Sequence, residues 1–264
     1  MKYSFVTYLG TDHFLPGVLT LNASFKKYNK TYDLVVLVSD LVSDSVINLL
    51  DLKKIKYKRI KQIKNPQKLE NDERNFKYMY TKLRIFEMIE YDKIVYFDAD
   101  MIVCNNIEAL FDVPHMSAVV AGGLYPGNES WRYFNAGLLV VEPDKDLFDR
   151  LISSINQLPS NDGSDQGFLH SFYKDWPLNQ TLHLDHKFNV PSFYIDEYCK
   201  LSDYNFLYKK RSLDTNISII HYWGPCKPWE IEIELLKRKS DIKWEQSLIL
   251  WWDVFLEAAK GIYN

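Results

Sequence analysis

Residues 94–100 read Ile94-Val95-Tyr96-Phe97-Asp98-Ala99-Asp100, an apolar run that ends in two carboxylates one small residue apart. A short run of β-branched and aromatic residues is the pattern of a buried strand. Such a strand delivers Asp98 and Asp100 into the loop at its carboxyl end, and Ala99 is small enough to let both carboxylates approach one ligand. Hard divalent cations take oxygen ligands, and a nucleotide diphosphate takes a cation to neutralise it. The plainer alternative is a helix cap or a solvated turn. The apolar Met101-Ile102-Val103 that follows argues for a buried setting.

Upstream of this turn, strand and helix patterns alternate. Tyr3–Leu9, Leu34–Val38 and Tyr57–Ile60 read as strands. Pro16 opens a helix with Val18, Leu21, Phe25 and Tyr28 on one stripe, and Ser43 caps a second helix through Ile47 and Leu50. Lys61–Asp72, polar and carrying Pro66, reads as a loop or lid, and Phe76–Ile89 as a helix before the strand Lys93–Phe97. This alternation predicts βαβ units, a parallel sheet and a ligand at the carboxyl ends of its strands. Beyond residue 115 the pattern is mixed, with strands expected at Ala118–Ala121, Gly137–Val141 and Ile217–Tyr222 and helices at Asp144–Asn156 and Ser164–Tyr173. A final helix carries Trp244, Leu248, Trp251, Phe255, Ala258 and Ile262 at alternating gaps of four and three, widened by Ile249, Trp252 and Leu256. The expected fold class is α/β in one domain over residues 1–264. A nucleotide-binding half covers about 1–115, a sugar and acceptor half about 116–230, and a helical extension about 231–264.

Composition narrows the function. The chain has 264 residues, of which 47 % are hydrophobic and 15 % aromatic, so it can build a substantial core. Its net charge of −3 and scattered Lys and Arg lack the broad basic face of a nucleic-acid binder. The cysteines Cys104, Cys199 and Cys226 form neither a metal motif nor a disulfide framework. With no signal-peptide core and no apolar run long enough to span a bilayer, a cytoplasmic location is expected.

Three further stretches carry chemistry. In Ile219-Ile220-His221-Tyr222-Trp223-Gly224-Pro225-Cys226-Lys227, a histidine ends an aliphatic strand and can offer a neutral imidazole nitrogen to a metal. Gly224 lets the backbone approach a phosphate, and Lys227 adds a positive charge. Added to Asp98 and Asp100, His221 makes an oxygen-plus-imidazole set suited to manganese better than to calcium. Asp162-Gly163-Ser164-Asp165-Gln166 places two carboxylates and an amide in a turn that can hydrogen-bond a polyhydroxylated substrate, and reads equally as a capped helix start. Phe134-Asn135-Ala136-Gly137 offers an amide beside a tight backbone.

In this order, the motifs resemble those of the family-eight retaining glycosyltransferases, glycogenin-like members most closely. Thr81-Lys82-Leu83 matches a further element of that family, and the resemblance runs over about residues 3–230. It implies a GT-A fold, a UDP-sugar donor (glucose first, galactose second), a manganese ion and retention of anomeric configuration. By the same resemblance, Asp98, Asp100 and His221 hold the metal. Phe5-Val6-Thr7 and then Phe14 sit where the family holds the uracil base, Asp98 also meets the ribose, and Gly224 and Lys227 meet the diphosphate, with Tyr8, Thr11 and Ala99 as further donor-binding candidates. Lys82, Asn135, Asp162, Asp165 and Gln166 line the sugar, with Asp162, Asp165 and Gln166 as the catalytic candidates, and Ala136 and Gly137 belong to the same donor-binding set. The implied acceptor is a glycan, a protein or a small polyol. Phe188-Asn189 matches the turn that precedes the self-modified tyrosine of glycogenin-like chains, but Tyr194 and Tyr198 are offset from that spacing. Self-association as a homodimer is an expectation from the same resemblance, and a non-catalytic nucleotide-sugar-binding scaffold is the alternative reading.

Overall fold

The computed structural model describes residues 1–66, 76–122, 124, 127–224, 226–232 and 241–261. The distal part of the expected loop or lid, residues 67–72, and Ile262 of the expected helical seam lie outside this set.

Five strands form the central sheet. β1 is Tyr3–Leu9, β2 Leu34–Ser39, β3 Lys56–Ile60 and β4 Lys93–Phe97. β5 (Met101–Val103) and β6 (Ala118–Val119) come next in the chain but lie in smaller sheets, and β7 is Leu138–Val141. The order is β3-β2-β1-β4-β7, with every pairing parallel except β4 with β7. Between the strands run α1 (Leu15–Tyr28), with Pro16 in its first turn, and α2 (Asp44–Leu52), whose cap Ser43 accepts a hydrogen bond from the Val46 amide. The alternating pleat of β4 sends its side chains to two cores. Ile94 and Tyr96 join Val6, Leu83, Phe86, Leu139 and Phe168 on one face, while Val95 and Phe97 join Phe5, Leu21 and Phe25 on the other.

Phe76–Glu87, expected as an α-helix, is 3-10 helix with a non-helical break at Tyr78. Tyr80, Leu83 and Phe86 are completely buried and recur every three residues, the period at which 3-10 side chains eclipse. The remaining elements are α3 (Lys145–Ser154), α4 (Asp165–Phe172), β8 (His183–Leu184), β9 (Val190–Pro191), α5 (Ile195–Leu201), β10 (Phe206–Lys209), β11 (Ser212–Thr215), β12 (Ile219–His221) and α6 (Lys243–Ala258). β6, expected to run to Ala121, stops at Val119 and continues only as a bridge from Val120 to Phe134. β12 is flanked by β5, antiparallel, and β9, parallel.

α6 buries the 248–251 part of its apolar seam inside the chain, while Leu256 is exposed. It lies against α1 and β10, with Leu248 and Trp251 buried beside Ile220, Tyr222, Phe206 and Tyr198. Two of its polar contacts are buried as well: Gln246 Oε1 accepts from the Tyr208 amide at 2.9 Å, and the Tyr222 hydroxyl donates to the Ser247 carbonyl at 2.7 Å. Among the described residues, no helix is long and apolar enough to cross a membrane.

Candidate active site

The sheet order places a crevice where it reverses, between the carboxyl ends of β1 and β4. β4 ends there in Asp98-Ala99-Asp100. β7 runs antiparallel to β4, so its incoming turn Asn135-Ala136-Gly137 reaches the same end, and the Asp98 amide donates to the Gly137 carbonyl at 2.8 Å. β12 pairs with β5 so that His221 stands opposite Met101, next to Asp100.

Asp98, Asp100 and His221 each present one ligand atom, and these three atoms lie within 4.8 Å of one another. His221 is 3 % exposed and its Nε2 is 3.2 Å from Asp100 Oδ1. The opposite ring nitrogen, Nδ1, is 2.9 Å from Asn189 Oδ1, an oxygen that can only accept, while Nε2 faces the two carboxylates. Two carboxylates, an imidazole and a hydrogen-bonded outer residue fit a divalent transition metal. Lys227 Nζ lies 2.6 Å from Asp100 Oδ2 and 3.3 Å from the Tyr222 carbonyl. Burial alone would raise the Asp100 pKa, but the Lys227 and His221 charges outweigh it and hold the group well below the usual carboxylate range.

A second ion cluster backs the first. Lys82, from the 3-10 segment, sits between Asp165 Oδ2 at 2.9 Å and Asp98 Oδ1 at 3.2 Å, and reaches the Ala136 carbonyl at 3.3 Å. Burial pushes the Lys82 pKa down, but Asp165 and Asp98 outweigh it and raise it, so the ammonium stays charged. Asp165 is driven up by burial, with Asp98 adding to the rise and Lys82 opposing it. The Tyr96 hydroxyl donates to Asp98 Oδ1 at 2.6 Å, and burial with Asp98 beside it keeps that phenol well above its ordinary pKa.

The other expected residues take clear places. Gln166 Oε1 accepts from the Ala136 amide at 2.9 Å, tying α4 to the β7 turn. Asp162 Oδ1 organises the start of α4: it accepts from the Ser164 amide at 2.9 Å, the Ser164 hydroxyl at 2.8 Å, the Ser160 hydroxyl at 3.0 Å and the Gly167 amide at 3.2 Å. Thr7 is fully buried in β1, and its hydroxyl has no partner among the described residues. Tyr8 is titrated upward by burial, against hydrogen bonds to Thr81 and Ser39. The Thr11 carbonyl accepts from the Phe14 amide, and Phe14 packs edge-on against Trp229 with ring centroids 5.7 Å apart. Gly224, at φ +128°, adopts a conformation that favours glycine. No hydrogen bond or ion pair among the described residues joins Thr11, Phe14 or Gly224 to Asp98, Asp100 or His221. A cavity of about 240 Å³ opens beside the cluster, lined by Asn128, Trp131, Asn135, Gln166, Asn189 and Trp223 among others.

Two participants escaped the sequence reading. Tyr96 reads there only as a strand residue, and Asn189 only as part of a turn. The position of Asn189 depends on β9 pairing with β12, Pro191 opposite His221, which no local pattern announces.

Comparison with known proteins agrees with this architecture. The sequence profile described as glycosyl transferase family 8 matches residues 5–232. Inositol phosphorylceramide glucuronosyltransferase 1 of Arabidopsis thaliana is 36 % identical over 242 residues, covering 87 % of this chain and 43 % of that protein. Glycogenin-1 of Mus musculus is 27 % identical over 271 residues, covering 96 % of this chain and 75 % of that protein. The apo form of the glycosyltransferase GlyE of Streptococcus pneumoniae superposes with a TM-score of 0.60 at 20 % identity, over 97 % of this chain and 63 % of that one. This chain spans less than half the length of the plant glucuronosyltransferases it matches. The fold is that of the GT-A glycosyltransferases, and the chain belongs to glycosyl transferase family 8.

Proposed function

We propose that the chain transfers a hexose from a UDP-sugar to a hydroxyl acceptor, with manganese held by Asp98, Asp100 and His221 and with retention at the anomeric carbon. The observation that carries this reading is the cluster of three ligand atoms within 4.8 Å beside Lys227, at the reversal point of the sheet. Bound there, the cation supplies positive charge to the departing diphosphate. Lys227 adds a second positive charge where negative charge develops. Thr7, Tyr8, Thr11 and Phe14 flank the uracil end, Asp98 and Ala99 the ribose, and Gly224 the diphosphate. Lys82, held between two carboxylates, fixes Asp165 against the sugar, while Gln166, Asn135, Ala136 and Gly137 line it and Asp162 keeps the start of α4 in place. In the transfer, the bond from the anomeric carbon to the diphosphate oxygen breaks, the acceptor oxygen bonds to that carbon, and its proton leaves with UDP.

An uncharged hexose suits the cavity better than a uronic acid. No charged side chain is among its described lining residues, and both neighbouring lysines are already paired with carboxylates. The motif resemblance puts glucose first and galactose second. The acceptor is a glycan, a protein or a small polyol, although Tyr198 is fully buried and so poorly placed to be one. The test is UDP release from UDP-glucose with manganese and after chelation. Manganese-dependent release supports the reading. UDP-glucose binding without any release or transfer would instead mark a non-catalytic binding protein of the same fold.

A further inference from the structure

Two asparagine amides connect the metal-binding histidine to a backbone amide in the β7 turn. The Gly137 amide donates to Asn135 Oδ1 at 2.9 Å. Asn189 Nδ2 donates to that same oxygen at 3.0 Å, and Asn189 Oδ1 faces His221 Nδ1 at 2.9 Å. A backbone N–H can only donate, so it fixes the Asn135 amide with its oxygen toward Gly137. That oxygen fixes Asn189 with its NH2 group toward Asn135, which leaves the Asn189 oxygen toward the imidazole. An oxygen there can only accept, so Nδ1 is a ring nitrogen that carries a proton; a cation seated among Asp98, Asp100 and His221 then meets the ring at Nε2, the nitrogen that faces both carboxylates. Flipping either amide would put two acceptors or two donors face to face at a buried contact, which costs the desolvation of both groups.

We infer that the Gly137 amide, through Asn135 and Asn189, sets the tautomer of His221, making Asn135 and Asn189 positioning residues for divalent-cation binding. This rests on the metal assignment proposed above. The relay also ends in the cavity: Asn135 and Asn189 line it, and the Asn135 NH2 group has no hydrogen-bond partner among the described residues. The residue whose orientation prepares the metal ligand is thus the one that offers a donor to a sugar hydroxyl.

The test is manganese affinity, measured by electron paramagnetic resonance with UDP present. Asn135→Ala removes the polar anchor without touching a metal ligand, and we expect affinity to fall several-fold. Asn135→Asp still accepts from Gly137 and Asn189 and is expected to bind manganese at least as tightly as wild type. Loss of an outer-sphere partner typically lowers metal affinity about 10–100-fold, the range expected for Asn189→Ala. Wild-type affinity in Asn135→Ala, or equal losses in Asn135→Ala and Asn135→Asp, overturns the relay. Should Asn135→Ala not fold, nitrogen-15 spectra of histidine-labelled, metal-free wild type decide the matter at a pH where the ring is neutral. With His221 assigned by comparison with His221→Gln, an Nδ1–H ring supports the inference and an Nε2–H ring overturns it. A wild type that binds neither UDP nor manganese defeats the transferase reading instead, and the same spectra still judge the relay.

Discussion

Asp100 sits 6 % exposed between Lys227 and His221, and its ionised form is favoured by both neighbours against the pull of burial. Asp100→Asn keeps the shape but removes the charge, so we expect manganese-dependent UDP release to vanish while circular dichroism stays native. Full activity in this variant would falsify the metal assignment. Gly137 is constrained from the other side. A Cβ built on it would stand 2.5 Å from His221 Cε1 and 2.7 Å from Asn135 Oδ1. Gly137→Ala is therefore expected to lose about 1–3 kcal/mol of stability by overpacking and to weaken manganese binding, both readable in melts with and without the ion. At this scale the sequence discloses what is announced by neighbours in the chain. Asp98 and Asp100 follow an apolar run, and His221 ends another, so their chemistry is visible locally. Tyr96 and Asn189 become site residues only through contacts made across the sheet and across β9 and β12, which a one-dimensional pattern does not carry.

The start of α4 shows what an element contributes. Hydrogen bonds from Ser164 and Ser160 outweigh burial and lower the Asp162 pKa. A group lowered on folding stabilises the chain fully above its unfolded pKa of about 4, and the contribution is lost as pH falls through the folded value. Asp162→Asn is thus expected to lose about 1 kcal/mol near neutral pH, a modest figure because the carboxylate is exposed and screened. Melts taken at falling pH should show that difference shrinking as the wild type protonates. α6 gives the contrasting case of an element held by packing. Trp251 is completely buried and stacks on Phe255 with ring centroids 5.3 Å apart. Trp251→Ala is expected to lose about 3–5 kcal/mol with no change in solution mass by light scattering, because the seam is covered by α1 and β10. A drop in mass would restore a role for this helix between subunits. The heptad-like spacing reveals that α6 buries a face but not against what, since intrachain and intermolecular burial leave the same trace. The 3-10 geometry of Phe76–Glu87 is hidden for a related reason: a three-residue recurrence of Tyr80, Leu83 and Phe86 also fits the flank of an α-helical stripe.

Across the whole molecule, the site is a meeting point of segments distant in sequence. Asp100 and Lys227 are 127 residues apart, and Asn135 and Asn189 are 54 apart. A ligand that joins these segments stabilises only the assembled state. Manganese with UDP at 100 times the dissociation constant is expected to add about 2.7 kcal/mol, seen as a rise in melting temperature that neither Asp100→Asn nor chelated wild type displays. The same sequence separations bear on how the chain comes together in time. Contacts that close long loops are made against the entropy of closure, so this junction is expected to mature late on the folding route. During synthesis the acidic turn at 98–100 is made long before the histidine and lysine that will neutralise it, and it stays hydrated until they arrive. Manganese supplied during refolding is accordingly expected to slow unfolding and to leave the folding rate unchanged, because the ion grips a junction absent from the transition state.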